Sequence, residues 1–289
     1  MKFSGSAMII LAAIFWGITG GLADILMDKG WDPLVISFYR GAVALLCFTG
    51  WFALSRKGGK IFSAPLILWS IVAGIGVAGN FTFYFLSIES TSVPIAATLM
   101  YTAPLFVMLA SFLLRIERST WFKWMCIFSV LAGIVLLTEA YDTGSSAVNL
   151  AGVATGLAAG LYYALFIFGF KKSAEAGEPQ TVLALAFLAF CVALSFFVNF
   201  EEAASVLKSG DIGWFIAIGI LGAGLSFALY TIGIKRTAPS TASIIAMVEP
   251  VTAALFGIVL LGEELSMMQL AGMAVILLTI TVLSVKKGD

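Results

Sequence analysis

Residues 93–114 read VPIAATLMYTAPLFVMLASFLL, twenty-two consecutive residues without a charge. A helix needs about 20 mostly apolar residues to cross a hydrocarbon core of about 30 Å, so this run is long enough to span a bilayer. Nine further runs qualify: residues 6–27, 33–54, 66–88, 121–138, 149–170, 180–200, 212–234, 240–261 and 267–285. They are continuous rather than short and alternating, which predicts helices and argues against a transmembrane barrel. The expected fold class is an all-α integral membrane protein with ten transmembrane helices, numbered here as spans 1 to 10.

The composition agrees. Of 289 residues, 61% are apolar and 11% charged, with 16 basic residues against 16 acidic ones. Soluble domains carry about 25% charged residues, so the bilayer is the expected solvent and partner. Zero net charge without a basic patch argues against nucleic acid. There is no histidine, and Cys47, Cys126 and Cys191 lie scattered inside apolar runs, so neither a metal site nor a Cys/His relay is expected. The chain has no GxxxxGK[ST] phosphate loop, which excludes ATP-driven transport by this chain alone. No cofactor is expected.

The connectors, such as 55–65, 139–148 and 201–211, leave no room for a soluble domain. Span 1 is too long for the core of a signal peptide and is read as an uncleaved helix. With the amino terminus inside, the cytoplasmic segments carry Lys2, Arg56, Lys57, Lys60, Arg115, Arg118, Lys171, Lys172, Lys235, Arg236, Lys286 and Lys287; the other side carries only Lys29 and Lys208. The positive-inside rule therefore predicts both termini in the cytoplasm of a multi-pass protein of the cell membrane, a bacterial inner membrane. Six of seven tryptophans fall at span ends, where indoles favour the headgroup boundary; Trp16 alone lies mid-span.

Sliding the chain on itself by 146 residues superposes Pro33 on Pro179, Gly76 on Gly222, Phe81 on Phe227, Tyr84 on Tyr230, Thr91 on Thr237, Pro104 on Pro250, Glu117 on Glu263 and Thr120 on Ser266. The chain thus divides into residues 1–146 and 147–289, five spans each. An odd number of spans means that the second unit enters the membrane from the opposite side. Such inverted repeats are typical of secondary transporters, whose substrate site lies near the midplane between the halves.

Together, Ala-Ala-Ile-Phe-Trp-Gly (12–17), Phe-Tyr-Arg-Gly (38–41), Ala103-Pro104, Glu249-Pro250 and Gly-Glu-Glu-Leu-Ser (262–266) resemble the EamA branch of the drug/metabolite transporter superfamily. The resemblance covers nearly the whole chain. It implies two five-helix units and export of small metabolites, and the balance of aromatic residues and length is most similar to bacterial exporters of aromatic amino acids. Two departures stand out: Arg115-Ile116-Glu117-Arg118 where the family often has Gly-Glu, and Ala186 in span 7 where span 2 has Arg40.

Charged groups at a helix centre cost about 2.5–3.5 kcal/mol on insertion scales and need a reason to be there. Glu249 lies mid-span beside Pro250 and has two readings, a proton-coupling carboxyl or a structural group pinning the kink. Arg40 lies near Asp24 in the folded hairpin of spans 1 and 2; the preferred reading is a structural ion pair, the alternative an anchor for a substrate carboxylate. Lys123 is read as snorkelling to the interface, with no role.

Asn80 and Tyr84 share one face of span 3, as their repeat mates Ser226 and Tyr230 share one face of span 8. With Trp16, Thr98, Tyr101, Tyr162, Tyr163 and Ser243 they are expected to line an aromatic, weakly polar substrate cavity. Gly17/Gly21 and Gly152/Gly156/Gly160 predict close helix packing. Pro104 and Pro250 predict mid-helix bends and candidate hinges.

The function expected is a secondary transporter or facilitator exporting small amphipathic metabolites, amino acids above all, by alternating access. An exporter of drugs or quaternary ammonium compounds is the alternative. Sugar phosphates would require more midplane cations than Arg40, and an intramembrane enzyme would require an acid-base pair that the chain lacks. Monomer and homodimer both remain open.

Overall fold

A computed structural model describes residues 5–55, 63–142, 150–262 and 264–285. Ten apolar helical segments follow one another: α1 Gly5–Asp28, α2 Pro33–Leu54, α3 Ala64–Ser90, α4 Val93–Leu113, α5 Trp121–Leu137, α6 Leu150–Ala176, α7 Pro179–Leu194, α8 Ile212–Ile234, α9 Pro239–Leu260 and α10 Met267–Val285. By length and composition seven are suited to cross a membrane, and α5, α7 and α10 are shorter apolar helices. The lipid-facing pattern is explicit: Leu46, Phe112, Phe128, Leu161, Leu188 and Val282 are all more than half exposed. Lys2, Arg56, Lys57, Lys60, Lys286, Lys287 and Glu263, used above, lie outside the described residues.

Proline chemistry explains much of the segmentation. Pro33, Pro65, Pro94, Pro179 and Pro239 occupy first turns, where the missing N–H costs nothing. Pro104 and Pro250 instead fall within α4 and α9 and divide them. α4 consists of Val93–Met100 and Ala103–Leu113, and α9 of Pro239–Ile245 and Val248–Phe256. The expected bends are thus outright breaks at matching places in the two repeats.

Some boundaries differ from the sequence reading. α6 runs on to Ala176, so Lys171 belongs to its last turns and donates to the Ile234 and Lys235 carbonyls at 3.2 and 3.1 Å, where a cation meets the negative end of α8. α7 stops at Leu194, and the following connector holds a short helix, Phe200–Val206, because Asn199 accepts from Glu201 N and Glu202 N.

The two repeats interlock rather than sit side by side. α3 packs on α6 and α7, while its counterpart α8 packs on α1 and α2; α6 lies on α4 as α1 lies on α9; α5 and α10 pair at the flank. Small residues permit the approach. A Cβ on Gly76 would come within 2.6 Å of the Phe166 nitrogen, and one on its mate Gly222 within 2.5 Å of Thr19 Oγ1.

One end carries a polar tie built on Glu117, in the α4–α5 connector. Its carboxylate accepts from Lys123 Nζ at 2.5 Å, from Ser240 N at 3.0 Å and from Ser240 Oγ, which joins the first repeat to the start of α9. Lys123 therefore has a partner, contrary to the snorkelling reading. The repeat mate of Ser240 is Pro94, which has neither the N–H nor the hydroxyl to form the equivalent tie at the opposite end. Burial pushes the Glu117 carboxyl up, but Lys123 and the two Ser240 donors outweigh it and hold it below its usual value. A depressed pKa contributes stability above the unfolded-state value that is lost as pH falls through the folded one. Glu117→Gln should thus lower the detergent melting temperature by a few degrees at pH 7, from the loss of about 1–3 kcal/mol of charged hydrogen bonding. The two melting temperatures should converge as pH falls through and below the usual carboxylate range; an equal gap at all pH values would contradict this role.

Candidate functional site

Six helices, α1, α2, α3, α6, α8 and α9, meet at the centre around a cavity of about 30 Å³, lined by Trp16, Arg40, Val77, Asn80, Phe81, Tyr163, Phe166, Phe227 and Glu249. That volume suits water and is far too small for a metabolite. Arg40 comes from the first third of α2, and its Nε and Nη2 donate to the Gly222 carbonyl at 3.0 and 2.6 Å. Its guanidinium also lies 5.3 Å from the Phe81 ring centroid, within cation–π range.

The local backbone makes this possible. Residues Ile220–Leu225 form a π-helical turn, in which the Ser226 N–H bonds to Leu221 and Ala223 rather than to its ordinary i−4 partner, Gly222. The Gly222 carbonyl accepts instead from Arg40 and from Ser226 Oγ at 2.8 Å. π-Turns inside α-helices are frequent at functional sites for this reason. The matching stretch of α3, Gly74–Gly79, stays α-helical.

Glu249 sits beside the α9 break, where its N–H bonds to Ala246 O at 2.9 Å, and Tyr163 donates a long 3.4 Å bond to Glu249 Oε2. Arg40 and Glu249 are electrostatic neighbours across the cavity. Asn80 Nδ2 donates to the Ala159 carbonyl at 3.0 Å, which fixes the amide against α6 and leaves its oxygen for the cavity. The remaining wall is aromatic: Trp16 lies 5.0 Å from Phe227 and 5.2 Å from Tyr230, and Tyr163 4.5 Å from Phe166, between ring centroids.

The structure sorts the sequence-expected residues. Trp16, Asn80, Tyr163 and Glu249 line the cavity, and Tyr230 is packed directly behind Trp16. Tyr84 and Tyr101 are electrostatic neighbours of Glu249 and Asp24 but do not line it. Ser226 and Ser243 are fully buried and hydrogen-bond to carbonyls of their own helices, Gly222 and Ser240, and do not line the central cavity. Thr98 pairs with Thr138 at 2.6 Å, beside a separate recess bordered by Ile95, Leu99 and Tyr141. Tyr162 lies against Gly79 and Phe83. Its mate Trp16, for which Leu225 stands at the position matching Gly79, lines the central cavity instead. Arg40, expected beside Asp24, is engaged by the Gly222 carbonyl and by the charge of Glu249.

Four lining residues were not singled out as site residues: Val77, Phe81, Phe166 and Phe227. A signal existed for two of them, because Phe81 and Phe227 are repeat mates. The charges follow the opposite rule. Arg40 matches Ala186 and Glu249 matches Ala103, both alanines fully buried, so the charged pair stands where the repeat is broken.

The family model described as the EamA-like transporter family matches residues 3–139 and again residues 150–285. An uncharacterized transporter of Archaeoglobus fulgidus is 29% identical over 282 residues, covering 94% of this chain and 93% of its own. The threonine/homoserine exporter RhtA of Escherichia coli K12 is 28% identical over 282 residues, covering 93% and 88%. A solved crystal structure superposes with a TM-score of 0.80 over 99% of both chains at 20% identity, which establishes the shared fold. Matched once in each half, this multi-pass membrane protein belongs to the EamA-like transporter family.

Proposed function

We propose that the protein exports small zwitterionic metabolites, amino acids with apolar or weakly polar side chains, by alternating access of two oppositely threaded halves, residues 1–146 and 147–289. The observation that carries this reading is the presence of Arg40 and Glu249 in one water-sized central cavity. A substrate with a carboxylate and an ammonium group replaces their mutual attraction with two new ion pairs, so neither charge is left alone in the interior. The carboxylate meets Arg40, the ammonium meets Glu249 and the Asn80 oxygen, and the side chain lies against Trp16, Phe81, Phe166 and Phe227. The chain's similarity to RhtA, a threonine/homoserine exporter, supports the same class.

A bare quaternary ammonium ion is disfavoured, because it would gain Glu249 and be repelled by Arg40. Admission of an amino acid requires the six helices to part, and the breaks beside Pro104 and Pro250 are the proposed hinges. Both termini are placed in the cytoplasm, following the lysine and arginine bias. Glu249 is proposed to take up a proton when the ammonium group leaves, which couples export to proton entry.

Proteoliposomes loaded with a panel of labelled amino acids provide the test. Efflux of neutral amino acids, stimulated by an imposed pH gradient and insensitive to excess tetraphenylphosphonium, is the expected result. With Glu249→Gln the gradient should no longer matter; a persistent gradient dependence would remove Glu249 as the coupling group. Efflux of the quaternary cation alone would overturn the substrate class.

A further inference from the structure

Among the described residues four buried side-chain polar atoms have no hydrogen-bond partner: Trp16 Nε1, Ser70 Oγ, Tyr230 Oη and Thr231 Oγ1. The serine and threonine hydroxyls can swing to carbonyls of their own helices, as Ser226 and Thr252 do. The indole and phenol cannot, since a rigid ring carries the donor away from the backbone. Buried tryptophan N–H and tyrosine O–H groups usually find partners, so two orphans in contact with one another are informative. Trp16 and Tyr230 are 4% and 0% exposed, their ring centroids are 5.2 Å apart, and Trp16 itself lines the central cavity. They come from α1 and α8, which approach closely where Thr19 of α1 lies against Gly222 of α8.

We propose that Trp16 Nε1 and Tyr230 Oη form a second polar subsite, which receives an oxygen acceptor on the side chain of the transported amino acid. This deepens the reading of the central cavity as an amino-acid site and rests on it. Arg40, Asn80 and Glu249 take the α-substituents shared by all amino acids, and therefore cannot distinguish one from another. Trp16 belongs to the aromatic wall against which the side chain is laid and Tyr230 is packed directly behind it, so the two donors become reachable when the six helices part. An alkyl side chain leaves both donors unpaired, as they are in the closed protein; a hydroxyl or ether oxygen satisfies at least one. A site whose buried donors are otherwise orphaned discriminates in favour of the ligand that pairs them. The subsite thus favours threonine over its isostere valine, and O-methylthreonine, which retains only the acceptor, over its isostere isoleucine.

Competitive efflux from proteoliposomes of the full chain tests this, with threonine against valine and O-methylthreonine against isoleucine. The wild-type protein should prefer the oxygen-bearing member of each pair by about tenfold. Tyr230→Phe and Trp16→Phe should each bring that ratio toward one. Empty Tyr230→Phe protein should also melt at a higher temperature than wild type, since an unpaired buried hydroxyl is gone. Equal efflux within both pairs in the wild type overturns the subsite while leaving the amino-acid reading intact. A lower melting temperature for Tyr230→Phe with unchanged selectivity shows a packing role and overturns it as well. Efflux of no amino acid at all overturns both readings.

Discussion

Arg40→Gln is expected to abolish amino-acid efflux, by more than a hundredfold, while the protein still inserts into the membrane. Arg40 supplies the cationic half of the cavity, and its repeat mate Ala186 supplies nothing in return. Glutamine cannot reproduce two donations to Gly222 and a positive charge facing Glu249. Removing one partner of a buried charge pair costs about 3–5 kcal/mol, because the other is left uncompensated. Arg40→Lys should fail nearly as badly, since an ammonium is a point charge without the planar fork that spans carbonyl and carboxylate together. The double variant Arg40→Gln/Glu249→Gln should regain much of the lost stability and none of the transport. Efflux and detergent melting measured on all four proteins form a double-mutant cycle. Wild-type efflux by Arg40→Gln would end the proposed binding mode.

Gly17→Val should be the most damaging substitution on α1. Already a Cβ at this position would lie 2.5 Å from the Glu249 carbonyl oxygen, 2.6 Å from Thr252 Cβ and 2.9 Å from the Ala253 nitrogen. Two of those atoms are backbone and cannot rotate away, so α1 and α9 must separate. Overpacking of this kind costs about 1–3 kcal/mol. The larger consequence is positional, because the contact is made by the residue that carries the cavity's carboxylate; displacement by about 1 Å reduces function of the order of a hundredfold. Efflux should fall well before the folded fraction does. The contrasting control is Gly20→Val on the same helix, where a Cβ would meet nothing within 4 Å; equal losses for the two would place the defect in helix propensity rather than in the α1–α9 contact.

The ten helical segments were legible because each requirement is local: a run of apolar residues must exceed the core thickness, and prolines must sit where an N–H is dispensable. The repeat was legible at scarce positions such as Phe81/Phe227 and Gly76/Gly222, where the same packing demand recurs in both halves. The site was half legible for the complementary reason. Trp16 and Tyr162 are repeat mates of similar chemistry, yet one lines the cavity and the other lies over Gly79, according to what the neighbouring helix places opposite. Ser226 and Asn80 are also mates. The short hydroxyl bonds back to its own helix, while the longer amide reaches across to Ala159.

The sequence alone thus determined membrane residence, helix order and the places at which α4 and α9 depart from a straight helix, since these depend on hydrophobic length and on proline, properties that act within a single helix. Only the tertiary structure decided that Arg40 faces Gly222 and Glu249. That outcome turns on a π-turn in α8, which redirects one carbonyl, and on the interlocking of six helices that brings residues 182 and 209 positions away in the chain up to Arg40. Neither distance in the chain nor helical periodicity carries that information, because a side chain's partner across a helix interface is set by the relative rotation and depth of two helices.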